Sequence, residues 1–283
     1  MWYFVYFDFS WRFIMAEITA AMVKSLRDKT QLPMMECKKA LIQAEGDENK
    51  AIDFLRKTGK AKMSSRSDRE TAEGRIEVYR GANGVTSMIE IQCESAPVAS
   101  NAQFIQLAKN LAQQLAEGSG ASTPEELLAQ GDLQLQFDDL MNKIREVFKL
   151  KRVVRVEGSV GTYVHHDAKT GVILEFDGDN GNIANQICMQ ICAMKPQAVG
   201  ADDLDPEVLK KEHEIAEEQT RTANSGKPEN IIAKIVEGRV KAVLKEICLL
   251  DQAFIMDGNK TVAQVAKDAG LVLKKFYRWS VGC

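Results

Sequence analysis

The stretch GRIEVYRGANGVTSMIEIQC, residues 74–93, alternates apolar and polar side chains on either side of Asn83-Gly84. Such alternation is typical of a β-strand with one buried face, and an Asn-Gly pair between two runs favours a hairpin turn. A helix is predicted next, at about residues 101–117, from apolar side chains at helical spacing. The pattern therefore predicts an antiparallel β-hairpin followed by an amphipathic helix.

A second stretch, GSVGTYVHHDAKTGVILEF at residues 158–176, has the same arrangement and precedes an apolar helix predicted at 182–194. We interpret the two stretches as a weak internal duplication. Two copies predict paired subdomains rather than a solenoid, because a solenoid needs more repeats. Between the copies, residues 124–150 are predicted to be helical, and a further strand is predicted at 153–156.

Three short helices are predicted before the first hairpin. Thr19 can cap the first, Pro33 suits the start of the second, and Asp47 can cap the third, which is predicted to end before Gly59. Residues 56–69 then hold six cations and one acid, a composition that favours a solvated basic linker.

The last third of the chain predicts a different element. Residues 207–223 and 229–247 favour helices and are joined by a short connection, which indicates an antiparallel helical hairpin. Its apolar stripe is expected to be covered by the other arm, with a second chain as the alternative. A strand, a helix and a last strand are predicted at 253–256, 261–269 and 274–281.

Composition limits the function classes. The chain has 283 residues, 45% of them apolar, and a net charge of −3, so it lacks the chain-wide basic surface of a nucleic-acid-binding protein. Six cysteines without a CxxC pair argue against a disulfide scaffold and favour a reducing cytoplasm. The sequence has no 18-residue apolar stretch, so no transmembrane helix and no membrane partner are expected.

Residues 1–14, MWYFVYFDFSWRFI, hold eight of the chain's 19 aromatic residues. The stretch lacks a basic start and is interrupted by Asp8 and Arg12, which argues against a secretory signal. Our hypothesis is that translation begins at Met15 and that residues 1–14 are a non-native extension. A native peptide containing Trp2 or Trp11 would contradict it.

Motifs for bond-making chemistry are missing from the sequence. It contains no GxxxxGK[ST], GxSxG or HExxH, and no GxGxxG after a predicted strand. The adjacent His165 and His166 are expected to point apart on a turn, and Cys188 and Cys192 fit an apolar helix stripe. We therefore expect no enzyme activity, no cofactor, no metal and no direct nucleotide binding.

Met34 and Met35 indicate a contact surface. Adjacent helix positions lie about 100° apart, so both side chains cannot face one core. We expect one exposed methionine beside Arg27, a combination enriched at protein interfaces. The alternative is that Met35 packs in the core and Met34 is merely tolerated.

Blocks of sequence spread over residues 15–282 resemble, in order and spacing, the elongation factor Ts family. The two most specific are PMMECKKAL at 33–41 and VEGR at 236–239. The others include CESAPVA at 93–99, YVH at 163–165, MKP at 194–196, LDQAFIM at 250–256 and FYRWSV at 276–281.

The resemblance implies an α+β fold. It consists of an N-terminal three-helix module similar to ubiquitin-associated domains, a core of two similar α+β subdomains, and a projecting antiparallel helical hairpin. The implied divisions are an N-terminal extension at 1–14, the three-helix module at 15–60, a basic linker at 61–73, subdomain N at 74–156, subdomain C at 157–204 and 248–283, and the inserted hairpin at 205–247.

The resemblance also implies a guanine-nucleotide exchange factor for elongation factor Tu in translation. An exchange factor forms no bond; it binds the nucleotide-free partner more tightly than the loaded one, and by reciprocity weakens nucleotide binding. The residues implied to contact elongation factor Tu are Arg27, Met34 and Met35 on its GTPase domain, Ser95, Ala96, Pro97 and Val98 near its Mg²⁺ and phosphates, and His165 on a second face.

One block departs from the family pattern. Many members have Thr-Asp-Phe-Val where this chain has Ser95-Ala96-Pro97-Val98, so an acid and an aromatic wedge are replaced. Either a proline-stiffened loop takes over the intrusion or the partner differs to match; the alternative is a plain strand-to-helix turn. A rival function is a non-catalytic scaffold that binds elongation factor Tu, the ribosome or RNA. A homodimer through the core or the hairpin is also left open.

Overall fold

The computed structural model describes residues 18–223 and 227–282, so the hypothesis on residues 1–14 and the tip of the helical hairpin lie outside the described residues. The chain divides into two compact units. Unit 1 contains the described residues up to 69 together with 135–147, and unit 2 contains 70–134 and the residues from 148 onward.

The elements in chain order are α1 (Ala20–Thr30), α2 (Met34–Gln43), α3 (Glu48–Ser64), β1 (Glu73–Arg80), β2 (Val85–Cys93), α4 (Ala96–Ala99), α5 (Ala102–Glu117), α6 (Pro124–Leu128), α7 (Leu133–Ile144), β3 (Lys149–Glu157), β4 (Val160–Val164), β5 (Thr170–Asp177), α8 (Gly181–Met194), α9 (Pro206–Ala223), α10 (Glu229–Ile247), β6 (Ala253–Phe254), β7 (Asp257–Thr261), α11 (Val262–Asp268) and β8 (Val272–Ser280).

Unit 1 is helical, as predicted. The predicted caps are confirmed: Thr19 accepts from Met22 N at 3.3 Å, and Asp47 accepts from Lys50 N at 3.0 Å. The core between α1, α2 and α3 consists of small and medium apolar side chains: Val23, Leu26, Cys37, Ala40, Leu41, Ala44, Ala51 and Leu55.

The predicted end of the third helix is wrong. Gly59 lies inside α3, which continues to Ser64 and so extends into the segment predicted as a basic linker. A Cβ at Gly59 would lie 2.4 Å from the side-chain amide of Asn142, so α7 lies close to α3 at this glycine. Residues 135–147, implied to belong to subdomain N, are part of unit 1.

Unit 2 contains two three-stranded antiparallel sheets, in the orders β1-β2-β3 and β4-β5-β8. In each, a hairpin is followed by a helix, and a later strand pairs with the second strand of the hairpin. The α+β class and the two similar subdomains are therefore confirmed. The segment predicted to be helical at 124–150 contains α6, α7 and the start of β3, and Gly131 with φ +57° lies between the two helices.

The two sheets pack face to face. Ile76, Met88, Val156, Val160 and Ile173 form the cluster between them. Helix α5 covers the other side of the first sheet, and α8 and α11 pack with the other face of β5 in a second cluster. Strand β2 is buried along its whole length because both of its faces are covered.

The helical hairpin is confirmed as α9 and α10. The two arms cover each other, as predicted, with Ala216 of α9 packed against α10 at Ile232, Val236 and Val240. Leu209, Ile215 and Ile231 stay exposed. Within the part of the chain that the structure describes, no helix is long and apolar enough to cross a bilayer.

Candidate functional site

The predicted site residues of unit 1 flank a tight connection between α1 and α2. Gln31 ends α1 in the left-handed region, with φ +59°, and its N–H donates to Arg27 O at 2.7 Å. Helix α2 then begins with Met34 and Met35, which are 46% and 64% exposed, and Arg27 is exposed as well. The alternative in which Met35 packs in the core is therefore wrong, since both methionines face solvent.

A cleft of about 440 Å³ opens in unit 1 between α2, α3 and α7. Ile42 and Phe54 are exposed at its wall, although both are large and apolar. Glu36 accepts from Arg145 at 2.9 Å and pairs with Lys62 at 3.4 Å, so a carboxylate holds two of the cations that line it. Ile42 follows Met35 by seven residues and therefore lies on the same side of α2.

The basic run at 56–69 is partly neutralised within unit 1. Arg56 donates two hydrogen bonds to Asp139, at 3.1 and 2.9 Å, and the pairing raises the pKa of Arg56, chiefly through these bonds. Lys60 pairs with Asp138 at 3.8 Å, and Lys62 pairs with Glu36. The expectation of a solvated linker over 56–64 is wrong because these cations lie on a helix and three of them are ion-paired. These pairs reduce the net positive charge that the segment presents to solvent.

The Ser95–Val98 turn lies between β2 and α5 in unit 2. Ser95 has extended backbone, with φ −132°, and precedes the single helical turn α4, in which Pro97 occupies the second position. Asn101 then caps α5 by accepting from Gln103 N at 2.8 Å. Ala96 and Pro97 are exposed, while Ser95 and Val98 are half-buried. The turn thus presents a proline-fixed tip held between a strand and a capped helix.

His165 opens the β4–β5 hairpin turn. Its N–H donates to Thr170 O at 2.9 Å, and its carbonyl accepts from Ala168 N at 2.8 Å. Nδ1 of the ring is 3.1 Å from Tyr163 Oη, which orients a half-buried imidazole. The ring centres of His165 and His166 are 4.3 Å apart, so the expectation that the two rings point apart is wrong.

The turn and the hairpin meet at the beginning of β1. Glu73 pairs with Cys93 in the β1–β2 ladder, directly before the turn, and its carboxylate lies 2.7 Å from Lys169 Nζ in the hairpin. The pKa of Lys169 is raised, mainly by this hydrogen bond. In addition, Ile76 N donates to Ala168 O at 2.7 Å. Sequence reasoning missed Glu73 and Lys169 because they are distant along the chain and neither belongs to a motif.

The arrangement fits contact with a macromolecule. In unit 1 two methionines are exposed at the start of α2, and in unit 2 the Glu73–Lys169 ion pair lies between the base of the Ser95–Val98 turn and the His165 hairpin. Within residues 18–223 and 227–282, no group of three or more His, Cys, Asp or Glu side chains is placed to hold a metal ion.

Comparisons with known proteins agree over most of the chain. The sequence profile of the family described as Elongation factor TS matches residues 97–283. Elongation factor Ts of Azoarcus sp. (strain BH72) is 41% identical over 276 residues, which cover 95% of this chain and 92% of that protein. Elongation factor Ts of Corynebacterium jeikeium (strain K411) is 40% identical over 277 residues, with 95% and 99% covered. That of Cutibacterium acnes (strain DSM 16379 / KPA171202) is 39% identical over 275 residues, with 94% and 99% covered.

The chain is therefore a translation elongation factor, since these similarities extend over a fold of two sheets of one topology with an inserted helical hairpin. The chain belongs to the elongation factor Ts family, and the resemblance found in its sequence is confirmed.

Proposed function

We propose that this chain is a guanine-nucleotide exchange factor in the cytoplasm: it binds elongation factor Tu·GDP and promotes GDP release, so that GTP can bind. Family membership over nearly the whole chain is the observation that carries the proposal. The exposure of Met34, Met35, Ala96 and Pro97 supports it, because contact residues must be accessible in the chain alone.

The proposed mechanism is thermodynamic coupling. The chain binds nucleotide-free elongation factor Tu more tightly than the GDP complex, and the same free-energy difference weakens GDP binding. Accelerating release by four decades requires about 5.5 kcal/mol of differential contact. No covalent bond is made or broken, so the difference in affinity must come from packing and electrostatic contacts.

The two sets of residues have different proposed roles. Met34 and Met35 offer flexible, polarisable apolar surface, which supplies affinity for the GTPase domain. The Ser95–Val98 turn and His165 lie on two loops joined through Glu73 and Lys169, so they can press on the nucleotide end of the partner as one rigid surface. Rigid loops lose little conformational entropy on binding, so more of the contact energy is available to weaken the binding of GDP.

The test is release of a fluorescent GDP analogue from the cognate elongation factor Tu, with and without this chain. Acceleration that saturates with chain concentration is expected. Met35→Glu should raise the concentration needed for half-saturation about tenfold, since it places a charge in an apolar contact. Met256→Glu is the matched control, because Met256 is 58% exposed and lies outside the proposed contacts.

A complex that forms without accelerating release would overturn the exchange proposal and leave the scaffold role. A homodimer through the core or the hairpin stays a prediction, and sedimentation of the chain alone would test it.

A further inference from the structure

An ion pair with a fully buried carboxylate and a half-buried guanidinium lies between the two sheets of unit 2. Glu90 of β2 is fully buried, and its carboxylate accepts from Arg152 Nε at 2.5 Å and from Gln92 Nε2 at 2.8 Å. Arg152 of β3 stands directly opposite Glu90 in the strand register. A carboxylate without water is tolerated only where fixed partners replace its hydration, so the geometry around Glu90 is tightly determined.

Arg152 also reaches the sheet that carries the His165 hairpin. Its guanidinium donates to Ser280 O at 3.3 Å and lies 4.8 Å from the ring centre of Trp279, both in β8. Ser280 pairs with Thr170, the first residue of β5 after the hairpin turn, and their hydroxyl oxygens are 3.3 Å apart. The Glu90–Arg152 ion pair is therefore connected, through Ser280, to the base of the His165 hairpin.

The same network reaches the base of the Ser95–Val98 turn. Gln92 is buried and uses both ends of its amide: Nε2 donates to Glu90, and Oε1 accepts from Thr71 Oγ1 at 3.2 Å. The next residue, Cys93, is the last of β2. One polar network thus connects the strands from which the turn and the hairpin project.

We infer that Glu90 and Arg152 are positioning residues for the partner-contacting end of unit 2: the pair holds the Ser95–Val98 turn and the His165 hairpin at a set spacing. The role of the two loops rests on the proposed exchange function. Neither Glu90 nor Arg152 contacts the partner in this proposal. They act by keeping the Ser95–Val98 turn and the His165 hairpin at a fixed distance from each other, so that both loops contact the partner at the same time.

The test compares two isosteric variants of the full chain. Glu90→Gln keeps the shape and the acceptor for Gln92 but removes the charge opposite Arg152. Glu157→Gln is the matched control, because Glu157 accepts from Arg155 at 2.5 Å on the same strand yet is 71% exposed. Amide NMR spectra report the loop positions, and GDP-analogue release from elongation factor Tu reports their effect.

Glu90→Gln should shift the amide signals of Ala96, Val98, His165 and Ala168, and should slow release at saturating chain about fivefold to tenfold. Glu157→Gln should change neither. With 5-fluorotryptophan incorporated, the ¹⁹F signal of Trp279, assigned with Trp279→Phe, should move only in Glu90→Gln. Thr71→Val, which removes one hydrogen bond at the edge of the network, should shift the same amides if Glu90→Gln does not fold.

Unshifted loop signals in folded Glu90→Gln, or equal shifts in Glu157→Gln, would overturn the inference, as would unchanged release despite shifted loops. The NMR spectra need no partner. A wild-type chain that fails to accelerate release would therefore reject the proposed function, while the loop signals would still decide whether the pair positions the loops.

Discussion

Unit 2 has two halves: the first consists of the β1-β2-β3 sheet with α5, and the second of the β4-β5-β8 sheet with α8. The two halves have one topology and different loops. In each half a third strand pairs with the second, and each of these pairings contains one register shift directly after a glutamate, at Glu90 and at Glu175. Glu90 is fully buried and Glu175 is half-buried. The two halves therefore share one backbone topology, while the corresponding glutamates differ in burial.

The candidate contacts differ in the same way. The first half offers the connection from its second strand to its helix, with Pro97 at the tip, whereas the second half offers the hairpin between its first two strands, beginning at His165. Because the sheets pack face to face, these unlike loops reach the same end of unit 2, where Glu73 and Lys169 pair. The two copies of one topology therefore place the two sets of candidate contacts at one end of unit 2.

The largest effect is expected from emptying either helix–sheet core. Leu111 of α5 and Ile187 of α8 are both fully buried, so Leu111→Ala and Ile187→Ala should each lower the free energy of unfolding by about 2–5 kcal/mol. The halves share the cluster around Ile173, so either substitution should speed native-state hydrogen exchange in both. Faster exchange confined to the substituted half would show that the halves unfold separately. Leu209→Ala, at an exposed site, is the control.

The next effect tests the hairpin of the second half. His165→Ala should raise the concentration of chain needed for half-maximal GDP-analogue release about tenfold, or about 1.4 kcal/mol, because an oriented, half-buried ring is lost from the contact. Ala82→Glu changes the exposed tip of the first half's hairpin and should leave release unchanged. Equal effects of the two substitutions would contradict the division of roles between the halves.

A smaller effect is expected at the turn of the first half. Pro97→Gly should slow stimulated release about twofold to fivefold at subsaturating chain, since the flexible turn must be ordered on binding at about 0.4–1 kcal/mol. Asp179→Gly, in the strand-to-helix connection of the second half, is the matched control and should have no effect. Unchanged release with Pro97→Gly would favour the plain-turn alternative.

The smallest effect is a pH dependence at the surface of each half. Hydrogen bonds from Gln113 and then Tyr79 lower the pKa of Glu117, and Lys260 lowers the pKa of Asp268 in the same way. The folded-state pKa values therefore lie below the ordinary 4.5 and 3.8. The contribution of these hydrogen bonds to the free energy of unfolding is present above the ordinary values and is lost as the pH falls through the lowered pKa.

Urea unfolding at pH 7 and pH 3 should show this loss as a slightly lower midpoint in acid. Tyr79→Phe should bring the pKa of Glu117 closer to its ordinary value and so reduce the loss from the first half, and Lys260→Met should do the same for Asp268 in the second. A pH dependence that neither substitution changes would assign the loss to other carboxylates.

Local patterns predicted the helices best. The bounds of α5, α8, α9 and α10 agree with the sequence to within two residues, because apolar spacing and capping residues act over a few positions. The sequence predictions failed where a segment distant along the chain determines the local structure. Gly59 predicts a helix end, but α7 lies against it. Glu90 in an apolar strand is a signal of a buried charge, yet its partner Arg152 cannot be inferred from the spacing along the chain.

The sequence alone determined the family, the bounds of α5, α8, α9 and α10 and the duplicated hairpin-and-helix unit, since each depends on neighbouring residues or on blocks in a set order. It predicted one exposed methionine at the start of α2, whereas the structure exposes both. Only the tertiary structure decided that α7 joins unit 1 and that the Ser95–Val98 turn meets the His165 hairpin. The reason is physical: these contacts join strands and helices far apart in the chain, and their geometry exists only once the two sheets have packed.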